Sequence, residues 1–417
     1  MAAPSDGGGV LSPRARLAVT AGRAAAAVSR AVGRGGGSVI GGRVALMLAP
    51  DVLGQLTRHL DVALVSATNG KTTTTRLIAE ALRARAPVVS NALGANMPDG
   101  ITTALAGGSD ATFGVLEVDE KYLVGVARAV APKVIALLNL SRDQLDRAGE
   151  TRMLAERWRE GLAGTKATVI ANTDDPLVVW AASSSPDVVW VAAGQEWKED
   201  AWSCPSCGDV LRRPGDDWYC NQCGFRRPAP LWALQNDHVV DPRGSTWPVR
   251  LQLPGRANKA NATSSAAVAA VFGVPPQTAL KRMGQVQAVA GRYDVVPFQG
   301  REMRLLLAKN PAGWLETFSL IDPPPTPVIL SVNARGADGT DTSWLWDVDY
   351  TRLTGRPIFV IGDRRFDLAV RLEVADLDFR VCRSVEEAVR LIPPGRIETI
   401  ATYTAFQDLR RRVGNCQ

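Results

Sequence analysis

The chain has 417 residues, of which 46% are hydrophobic, 22% charged and 6% aromatic. This composition is typical of globular domains and excludes a disordered, collagen-like or coiled-coil chain. Lysine and arginine (48) exceed aspartate and glutamate (42), a mild excess that suits an anionic substrate or surface without requiring nucleic acid. Six cysteines are too few for a disulfide scaffold, and no apolar run is long enough to span a membrane. We expect a soluble or peripheral protein of two to three domains.

The first 42 residues form a basic segment in which arginines are interleaved with alanine and valine, followed by a glycine run at 35–37. These arginines are Arg14, Arg16, Arg23, Arg30 and Arg34. The pattern predicts a basic helix that ends at the glycines. A solvated helical lead-in is the favoured interpretation, with a membrane-surface or transit-peptide role as the alternative.

From residue 43, short apolar runs alternate with helical stretches such as 71–85. The expected strands are 62–65, 87–89, 113–118, 134–138, 168–171 and 188–191. This alternation is typical of parallel strands in a doubly wound sheet. After a helix at 260–272, strands at 303–307, 328–332, 358–361 and 399–403 predict a second, smaller α/β domain. The expected divisions are a lead-in at 1–42, a central domain at 43–297 with an insertion at 200–227, and a C-terminal domain at 298–417.

Only two histidines, His59 and His238, occur in the chain, and this limits its chemistry. A nucleophilic hydrolase needs a base beside its nucleophile, and neither histidine has a nucleophile motif nearby. We therefore expect any hydrolysis that the function requires to take place on another chain.

The first predicted strand leads into a glycine-bearing loop at 66–74, Ser-Ala-Thr-Asn-Gly-Lys-Thr-Thr-Thr. A strand, such a loop and a following helix aim backbone N–H groups at phosphate, with Lys71 on the β- and γ-oxygens and Thr72 on Mg²⁺. The full G-x4-G-K-[ST] pattern is not met, because Val65 stands where its first glycine would be. The strand and helix context nevertheless predicts an ATP site. Its expected residues are Thr68, Asn69, Gly70, Lys71, Thr72 and Thr73.

This loop resembles the compact ATP loop of the Mur ligases and folylpolyglutamate synthases, with Ala67 replacing that family's glycine. Glu117, at the end of a predicted buried strand, resembles the family's magnesium-binding glutamate. Segment 143–146, Asp-Gln-Leu-Asp, resembles the family's Asp-His-Leu-Asp, with Gln144 in place of a metal-contacting histidine. An amide oxygen can also ligate Mg²⁺, so the resemblance implies an ATP and magnesium site held partly by Thr72 and Glu117.

Three weaker matches follow in the family's order along the chain. Segment 172–175 resembles Asn-x-Asp-Asp near the nucleoside, 255–262 resembles Gly-x-x-Asn-x-x-Asn, and 291–294 resembles Gly-Arg-x-Glu, whose arginine approaches phosphate. Their shared order with the ATP loop strengthens the resemblance more than any one of them does. The matches imply that the nucleotide is contacted by Asn172, Asp174, Asn258 and Arg292.

Two C-x-x-C-G knuckles contain Cys204, Cys207, Cys220 and Cys223. Four thiolates at this spacing can close one tetrahedral Zn²⁺ site. Because four protein ligands leave no position for water, the predicted zinc is structural. Retained thiolates favour a reducing cytoplasm. The neighbouring aromatic residues predict a small core within the insertion. The alternative is a zinc ribbon that binds nucleic acid.

Four features together resemble one branch of this family, the MurT family, which comprises the synthetase subunits of lipid II isoglutaminyl synthases. They are the cysteine insertion, the early position of the ATP loop, segment 309–314 and segment 338–347. The resemblance implies an α/β architecture: a Mur ligase-like central P-loop domain with a parallel sheet and an inserted Cys₄ zinc ribbon, then a smaller Rossmann-like C-terminal domain.

The resemblance also implies a function in peptidoglycan biosynthesis. ATP would activate the α-carboxyl of D-glutamate in the lipid II stem peptide as an acyl phosphate, and ammonia from a GatD-like glutaminase subunit would give D-isoglutamine. Lys71 would neutralise charge on the transferred phosphoryl group. An aspartate of this chain would complete the partner's Cys–His pair, and Asp341 and Asp347 are both candidates, against plain roles as a helix cap and a solvated side chain.

The implied location is the cytoplasm at the inner face of the bacterial membrane, with peripheral contact to a membrane-bound substrate and no nucleic acid. Two other functions remain as alternatives. One is a zinc-ribbon P-loop ATPase that binds nucleic acid with steep salt dependence. The other is a ligase like folylpolyglutamate synthase, which would share the ATP chemistry but would not explain the cysteine insertion or segment 338–347.

Overall fold

The protein is described by a computed structural model over residues 11–31, 39–91, 95–108, 110–142, 151–287 and 293–414. It divides into two compact units. The first consists of Met1–Leu140, Thr151–Gln252 and Ala257–Gln287, and the second of Ser141–Glu150, Leu253–Arg256 and Ala288–Gln417.

The first unit contains a nine-stranded sheet and a separate two-stranded ribbon. Its strands are β1 (Asp61–Ser66), β2 (Val88–Ser90), β3 (Phe113–Glu117), β4 (Val134–Leu137), β5 (Thr168–Asn172), β6 (Val188–Ala192), β7 (Leu211–Arg212), β8 (Tyr219–Cys220), β9 (Trp232–Gln235), β10 (His238–Val240) and β11 (Thr246–Pro248). The strand order of the large sheet is β11-β10-β9-β6-β5-β4-β1-β3-β2.

The six predicted strands, β1 to β6, pair in parallel. The middle ones consist of apolar residues that are buried; Val62 to Val65 of β1 are at most 1% exposed. A strand covered on both faces needs such a continuous apolar run, which is why these strands could be predicted. The sequence did not predict β9 to β11, an extension in which β10 pairs antiparallel with β9 and β11.

Helices cover the sheet of the first unit. They are α1 (Pro13–Ala31), α2 (Ile40–Leu48), α3 (Val52–Thr57), α4 (Lys71–Leu82), α5 (Pro98–Ala106), α6 (Leu123–Val130), α7 (Thr151–Leu162), α8 (Pro176–Ala182), α9 (Arg256–Val271) and α10 (Pro276–Met283), with a 3₁₀ turn at Glu199–Ala201. In the described ranges, no helix combines the length and the apolar character needed to cross a membrane.

The basic N-terminal helix forms as predicted, but it is not solvated on all sides. One face of α1, formed mainly by Ala15, Ala18 and Gly22, is buried, and α1 shares a core cluster with α2 and α3. A Cβ on Gly22 would lie 2.3 Å from the carbonyl oxygen of Gly41. Small residues on both helices therefore allow their backbones to approach closely.

The second unit is a six-stranded sheet with helices. Its strands are β12 (Tyr293–Phe298), β13 (Arg301–Leu307), β14 (Val328–Ser331), β15 (Ile358–Ile361), β16 (Phe379–Val381) and β17 (Arg396–Ala401), in the order β12-β13-β17-β14-β15-β16. Its helices are α11 (Pro311–Phe318), α12 (Arg365–Val374), α13 (Val385–Arg390) and α14 (Tyr403–Gly414), with 3₁₀ turns at Ser343–Asp347 and Tyr350–Leu353.

All neighbouring strands of the second sheet are parallel except β12, which pairs antiparallel with β13. The boundary expected between 297 and 298 differs from the structure, because β12 lies in the second unit. Gln299 and Gly300, with φ of 47° and 75°, form the tight turn between β12 and β13. Such left-handed positions are typical of hairpin loops, so a boundary at this turn separates two paired strands.

Candidate functional site

The glycine-bearing loop connects β1 to α4, and Asn139 fixes its conformation. The Thr68 N–H donates to the Asn139 carbonyl oxygen (3.0 Å), and the Asn69 N–H donates to Asn139 Oδ1 (2.9 Å). Asn139 Nδ2 in turn donates to the Asn69 carbonyl oxygen (3.0 Å). Asn139 was not among the residues predicted for the site. Its signal is its position, two residues after β4, the strand that pairs with β1.

Gly70 stands at the N-terminus of α4 in the left-handed region, with φ of 86°. A Cβ there would lie 2.8 Å from Asn261 Oδ1, so α9 places the Asn261 side chain directly against the loop. The structure thus brings Asn261, from the matched segment 255–262, to the predicted nucleotide loop. The residue that touches Gly70 is Asn261, whereas the predicted Asn258 lies one turn earlier on α9 and is half-buried.

Lys71 is buried in the first turn of α4, and its ammonium group is folded back onto the loop. Nζ donates to the carbonyl oxygens of Ala67 and Thr68 and forms an ion pair with Glu120 Oε2 at 2.9 Å. Both side chains of this pair are nearly inaccessible, with 6% and 11% exposure. A buried cation needs such a counter-charge. Sequence reasoning missed Glu120, although it lies three residues after the selected Glu117.

Glu117 ends β3 beside β1, where Val65 is its partner in the sheet. Its side chain is 1% exposed. Oε1 accepts a hydrogen bond from Asn96 Nδ2 at 3.2 Å, whereas Oε2 has no hydrogen-bond partner in the described part of the chain. An unsatisfied buried carboxylate oxygen is rare in native proteins and calls for an explanation. Because hard cations bind carboxylate and hydroxyl oxygens, Glu117 and the buried Thr72 fit a magnesium ion.

Asp119 follows the same strand, and its carboxyl group has an altered pKa. Burial raises the pKa of this carboxyl group, and the neighbouring Glu120 carboxylate raises it further, against smaller opposing effects that include the charge of Lys71. The carboxyl groups of Asp119 and Glu120 therefore lie close to Lys71, the lysine predicted to contact phosphate.

Asp174 was predicted to contact the nucleotide, but its carboxylate is occupied by protein donors. Oδ1 accepts from Arg227 Nε (2.9 Å) and Nη2 (2.7 Å), and Oδ2 accepts from the N–H groups of Ala193 (2.9 Å) and Gly194 (2.6 Å). A carboxylate has about four acceptor positions. These contacts tie Asp174 to Arg227 and to the backbone of 193–194, which argues against a ligand contact through this carboxylate.

Asn172 and Asp175 organise the same segment. Asn172 Nδ2 donates to the Leu138 carbonyl oxygen at 2.8 Å. Asp175 caps α8 by accepting from the N–H groups of Leu177 and Val178, and it also accepts from the Leu140 N–H. Burial raises the pKa of Asp175 to about 6, in spite of these hydrogen bonds. The segment therefore ties the end of β4 to the start of α8.

The four predicted cysteines come together as one cluster. Their sulfur atoms all lie within 4.8 Å of one another, with Cys204 and Cys223 at 3.6 Å and Cys207 and Cys220 at 3.5 Å. A tetrahedral zinc site with Zn–S bonds of about 2.3 Å requires S···S distances of about 3.8 Å. The Phe225 N–H lowers the pKa of Cys223 to about 7, whereas burial raises the pKa of Cys204 to about 12. The cluster is compatible with zinc, which would deprotonate every thiol.

The cysteine module is fastened to the first unit by Trp218 and Arg227. Trp218 is 1% exposed, packs in a cluster with Cys204 and Cys220, and donates from Nε1 to the Thr173 carbonyl oxygen at 2.9 Å. Arg227 binds Asp174 as described above. This tryptophan thus packs in the predicted small core, and Arg227, one of the module's four arginines, is committed to a contact within the chain.

The two candidate aspartates lie at opposite ends of one loop and 3₁₀ turn in the second unit. Asp341 is exposed, and its carboxylate accepts from the Ser343 N–H (2.8 Å) and Oγ (2.9 Å). Asp347 pairs with Arg142 at 3.2 Å, with both side chains about one-third exposed. Asp341 thus bonds locally to Ser343 but is not the N-cap of the 3₁₀ turn, which is Thr342, whereas Asp347 is ion-paired. Segment 143–146 and Arg292 lie outside the described residues.

Two family models match the chain: "Mur ligase middle domain" over residues 65–269 and "MurT ligase C-terminal" over residues 307–406. The MurT subunit of lipid II isoglutaminyl synthase (glutamine-hydrolyzing) from Streptococcus pneumoniae (strain ATCC BAA-255 / R6) is 30% identical to this chain, covering 96% of it and 97% of its own length. The subunit of the same name from Staphylococcus aureus (strain N315) is also 30% identical, over 84% of this chain and 85% of its own length.

Solved structures show the same fold. A pseudomurein peptide ligase type C from Methanothermus fervidus superposes with a TM-score of 0.69 at 17% identity, covering 88% of this chain and 81% of its own. MurF from Acinetobacter baumannii gives a TM-score of 0.66 at 19% identity, covering 89% and 80%. Since both family models match in order and close relatives span almost the whole sequence, this chain belongs to the MurT family of the Mur ligases, which are ATP-dependent ligases.

Proposed function

We propose that this chain is the synthetase subunit of a glutamine-dependent complex that amidates the α-carboxyl of D-glutamate in lipid II, giving D-isoglutamine. The observation that carries the proposal is the loop held by Asn139, with Lys71 and the unsatisfied Glu117 oxygen beside it, in a chain that is 30% identical to a subunit of lipid II isoglutaminyl synthase. We take the substrate and the product from the name of these relatives. We assign the activation of the carboxylate to ATP bound at the loop.

In the proposed reaction, a carboxylate oxygen of the acceptor attacks the γ-phosphorus of ATP, and ADP leaves. The product is an acyl phosphate. The lone pair of ammonia then attacks the acyl carbon, inorganic phosphate leaves, and loss of a proton gives the amide. Phosphoryl transfer depends mainly on positioning and on neutralising charge, which are the roles we assign to the backbone N–H groups of 70–72 and to Lys71.

Glu117 and Thr72 would hold the magnesium ion, which would neutralise charge on the phosphates. Other nucleotide contacts are assigned to Thr68, Asn69 and Thr73, and further to Asn172, Asn258 and Arg292. We leave Asp174 out of this set because Arg227 and two backbone N–H groups already saturate it. We add Asn261, which touches the loop at Gly70.

Binding of a triphosphate requires a change at Lys71. Its ammonium group is paired with Glu120 in this structure, whereas the proposed reaction places it on the phosphates. A triphosphate carries more negative charge than one carboxylate, so it can compete for the lysine. We therefore assign Glu120 the role of counter-ion for Lys71 in the absence of nucleotide.

Ammonia would come from a GatD-like glutaminase subunit. With two histidines in 417 residues and no nucleophile motif beside either, the chain lacks the usual means of hydrolysing glutamine. Asp341 and Asp347 remain the candidates for orienting the partner's histidine. Asp341→Asn and Asp347→Asn, each assayed for glutamine hydrolysis in the purified complex, will identify which of them acts.

The test of the proposal is reconstitution. The chain is co-expressed with the glutaminase subunit, and the complex is incubated with lipid II, ATP, magnesium and glutamine. We expect the mass decrease that accompanies conversion of a carboxyl group to an amide, and its loss in Lys71→Met. Amidation by the isolated chain with free glutamine would contradict the division of labour between the two subunits.

A further inference from the structure

The outer face of α1 carries large apolar residues, whereas its inner face is formed mainly by small ones. Ala15, Ala18 and Gly22 point inward and are buried, together with Val19. The other two large apolar residues point outward: Leu17 is 68% exposed and Val28 is 62% exposed. Large apolar side chains normally occupy the core, so an outer face that carries them marks a surface that contacts something apolar.

Three exposed apolar residues of α1, Leu17, Ala24 and Val28, share one face with the half-buried Ala21. Leu17, Ala21, Ala24 and Val28 recur at spacings of four, three and four, which places them in one stripe along a helix. The stripe extends onto the end of α2. Arg14 Nε donates to the Leu48 carbonyl oxygen at 2.6 Å, which brings the C-terminal end of α2 beside the start of α1. Met47, next to Leu48, is 77% exposed.

Arginines line this stripe. Arg16, Arg23 and Arg30 recur every seven residues, so they follow one edge of the outer face, and Arg14 lies on the other edge. Residues 11–31 and 39–50 contain these four arginines and Arg43 but not a single aspartate or glutamate. All five arginines are exposed. Two acidic residues lie nearby: Asp51 follows α2 and is exposed, and Asp99 of α5 lies 3.9 Å from Arg43. An apolar stripe bordered mainly by cations is complementary to a surface with an anionic outer layer and an apolar interior.

A second apolar feature lies in the same helical layer. A crevice of about 170 Å³ is lined by residues of α1, α2 and α5, most of them small. Arg23 and Arg30, from the arginine edge of α1, contribute to its lining. An apolar crevice next to two cations is complementary to a lipid, because an acyl chain is apolar and a phosphate headgroup is anionic.

We propose that the outer face of α1, together with the end of α2, docks onto an anionic lipid bilayer, with the helix lying in the plane of the interface. An α-helix of 19 residues would extend about 28 Å along the surface. Its apolar stripe would enter the boundary between headgroups and acyl chains, while the arginines bind lipid phosphates. The inference deepens the proposed function and rests on it for a reason to be at the membrane, where a lipid-linked acceptor is found.

The test is flotation of the full-length chain with vesicles, without ATP or acceptor, so that its outcome does not depend on catalysis. The vesicles contain equal parts of phosphatidylglycerol and phosphatidylethanolamine, or phosphatidylcholine alone. We expect binding to the anionic vesicles that is at least about tenfold tighter than to the neutral ones. Raising the salt concentration from about 0.05 M to about 0.3 M should weaken it.

Charge reversal on α1 is compared with the same charge reversal elsewhere. Arg16→Glu with Arg30→Glu should reduce binding by at least about tenfold. The control is Arg128→Glu with Arg157→Glu, two exposed arginines on α6 and α7, which should leave binding unchanged. Equal effects of both pairs would show that binding depends on the net charge of the chain and not on the α1 face, and would overturn the proposal.

The apolar stripe is tested separately by Leu17→Ser with Val28→Ser, which should weaken binding at every salt concentration. If this pair instead dissociated a dimer or released the glutaminase subunit in lipid-free buffer, the face would belong to a protein contact and the proposal would fail. Hydrogen exchange of the unmodified chain provides a measurement without variants. Vesicles should protect 13–31 and 40–48, and unchanged exchange there would also overturn the inference.

Discussion

Gly70→Ala tests whether the loop between β1 and α4 is the nucleotide site. An alanine in the left-handed region costs about 1–2 kcal/mol, and the φ of Gly70 is 86°. The new Cβ would also lie 2.8 Å from Asn261 Oδ1. That atom is the end of a side chain and can move, so we expect the backbone strain to dominate. If ATP binds only this loop conformation, a cost of 1–2 kcal/mol corresponds to about a 5- to 30-fold loss of affinity.

The assay is calorimetric titration with ATP and magnesium, together with thermal unfolding. Gly300→Ala is the matched control, since Gly300 has a φ of 75° and open space around its Cβ position, and it lies in the hairpin turn of the other unit. Both variants should lose stability, but only Gly70→Ala should lose nucleotide affinity. If Gly70→Ala bound ATP as tightly as the unmodified chain while Gly300→Ala showed the expected destabilisation, the loop would not be the nucleotide site.

Three further predictions concern Lys71, the cysteine cluster and Asp175. Lys71→Met should abolish ATP hydrolysis. It should also cost about 3 kcal/mol of stability, because it leaves Glu120 without its cation. The double variant Lys71→Met with Glu120→Gln should recover stability in thermal unfolding but should remain inactive. Cys207→Ser should lower the zinc content measured by mass spectrometry and shift the fluorescence of Trp218, whereas the outlying Cys382→Ser should leave the zinc content intact. Burial raises the pKa of Asp175 to about 6. Between about pH 4 and pH 6 the folded chain therefore holds a proton that the unfolded chain has released, and stability falls as pH rises through this window. Asp175→Asn should flatten the dependence of the unfolding temperature on pH, and an unchanged slope would contradict the assignment.

The parallel strands could be predicted because burial on both faces imposes a simple composition. Val62 to Val65 and Val134 to Leu137 are continuous apolar runs, and both are buried strands. The strands β9 to β11 lack such runs, since a sheet edge is covered less completely. Their strongest signal was the turn at Asn236 and Asp237, both with positive φ, a residue pair that favours hairpins.

The candidate site was predictable where its residues adjoin one another in sequence. Gly70, Lys71 and Thr72 belong to a single loop and helix start. Asn139 and Asn261 reach the same loop from distant parts of the chain, so only the fold reveals their proximity. Asp174 illustrates the converse case. Its motif resembled a nucleotide contact, but Arg227, from the far side of the cysteine insertion, occupies its carboxylate.

If zinc occupies the cysteine cluster, the attachment of this module links metal binding to the parent sheet. Trp218 and Arg227 provide hydrogen-bond donors to Thr173 and Asp174 at the end of β5. A module that lost such an ion would lose its own fold and withdraw these donors, leaving the buried Thr173 carbonyl and one oxygen of the Asp174 carboxylate without them. Zinc depletion would then cause local unfolding first at the junction of β5 and α8, spreading from the insertion into the first unit.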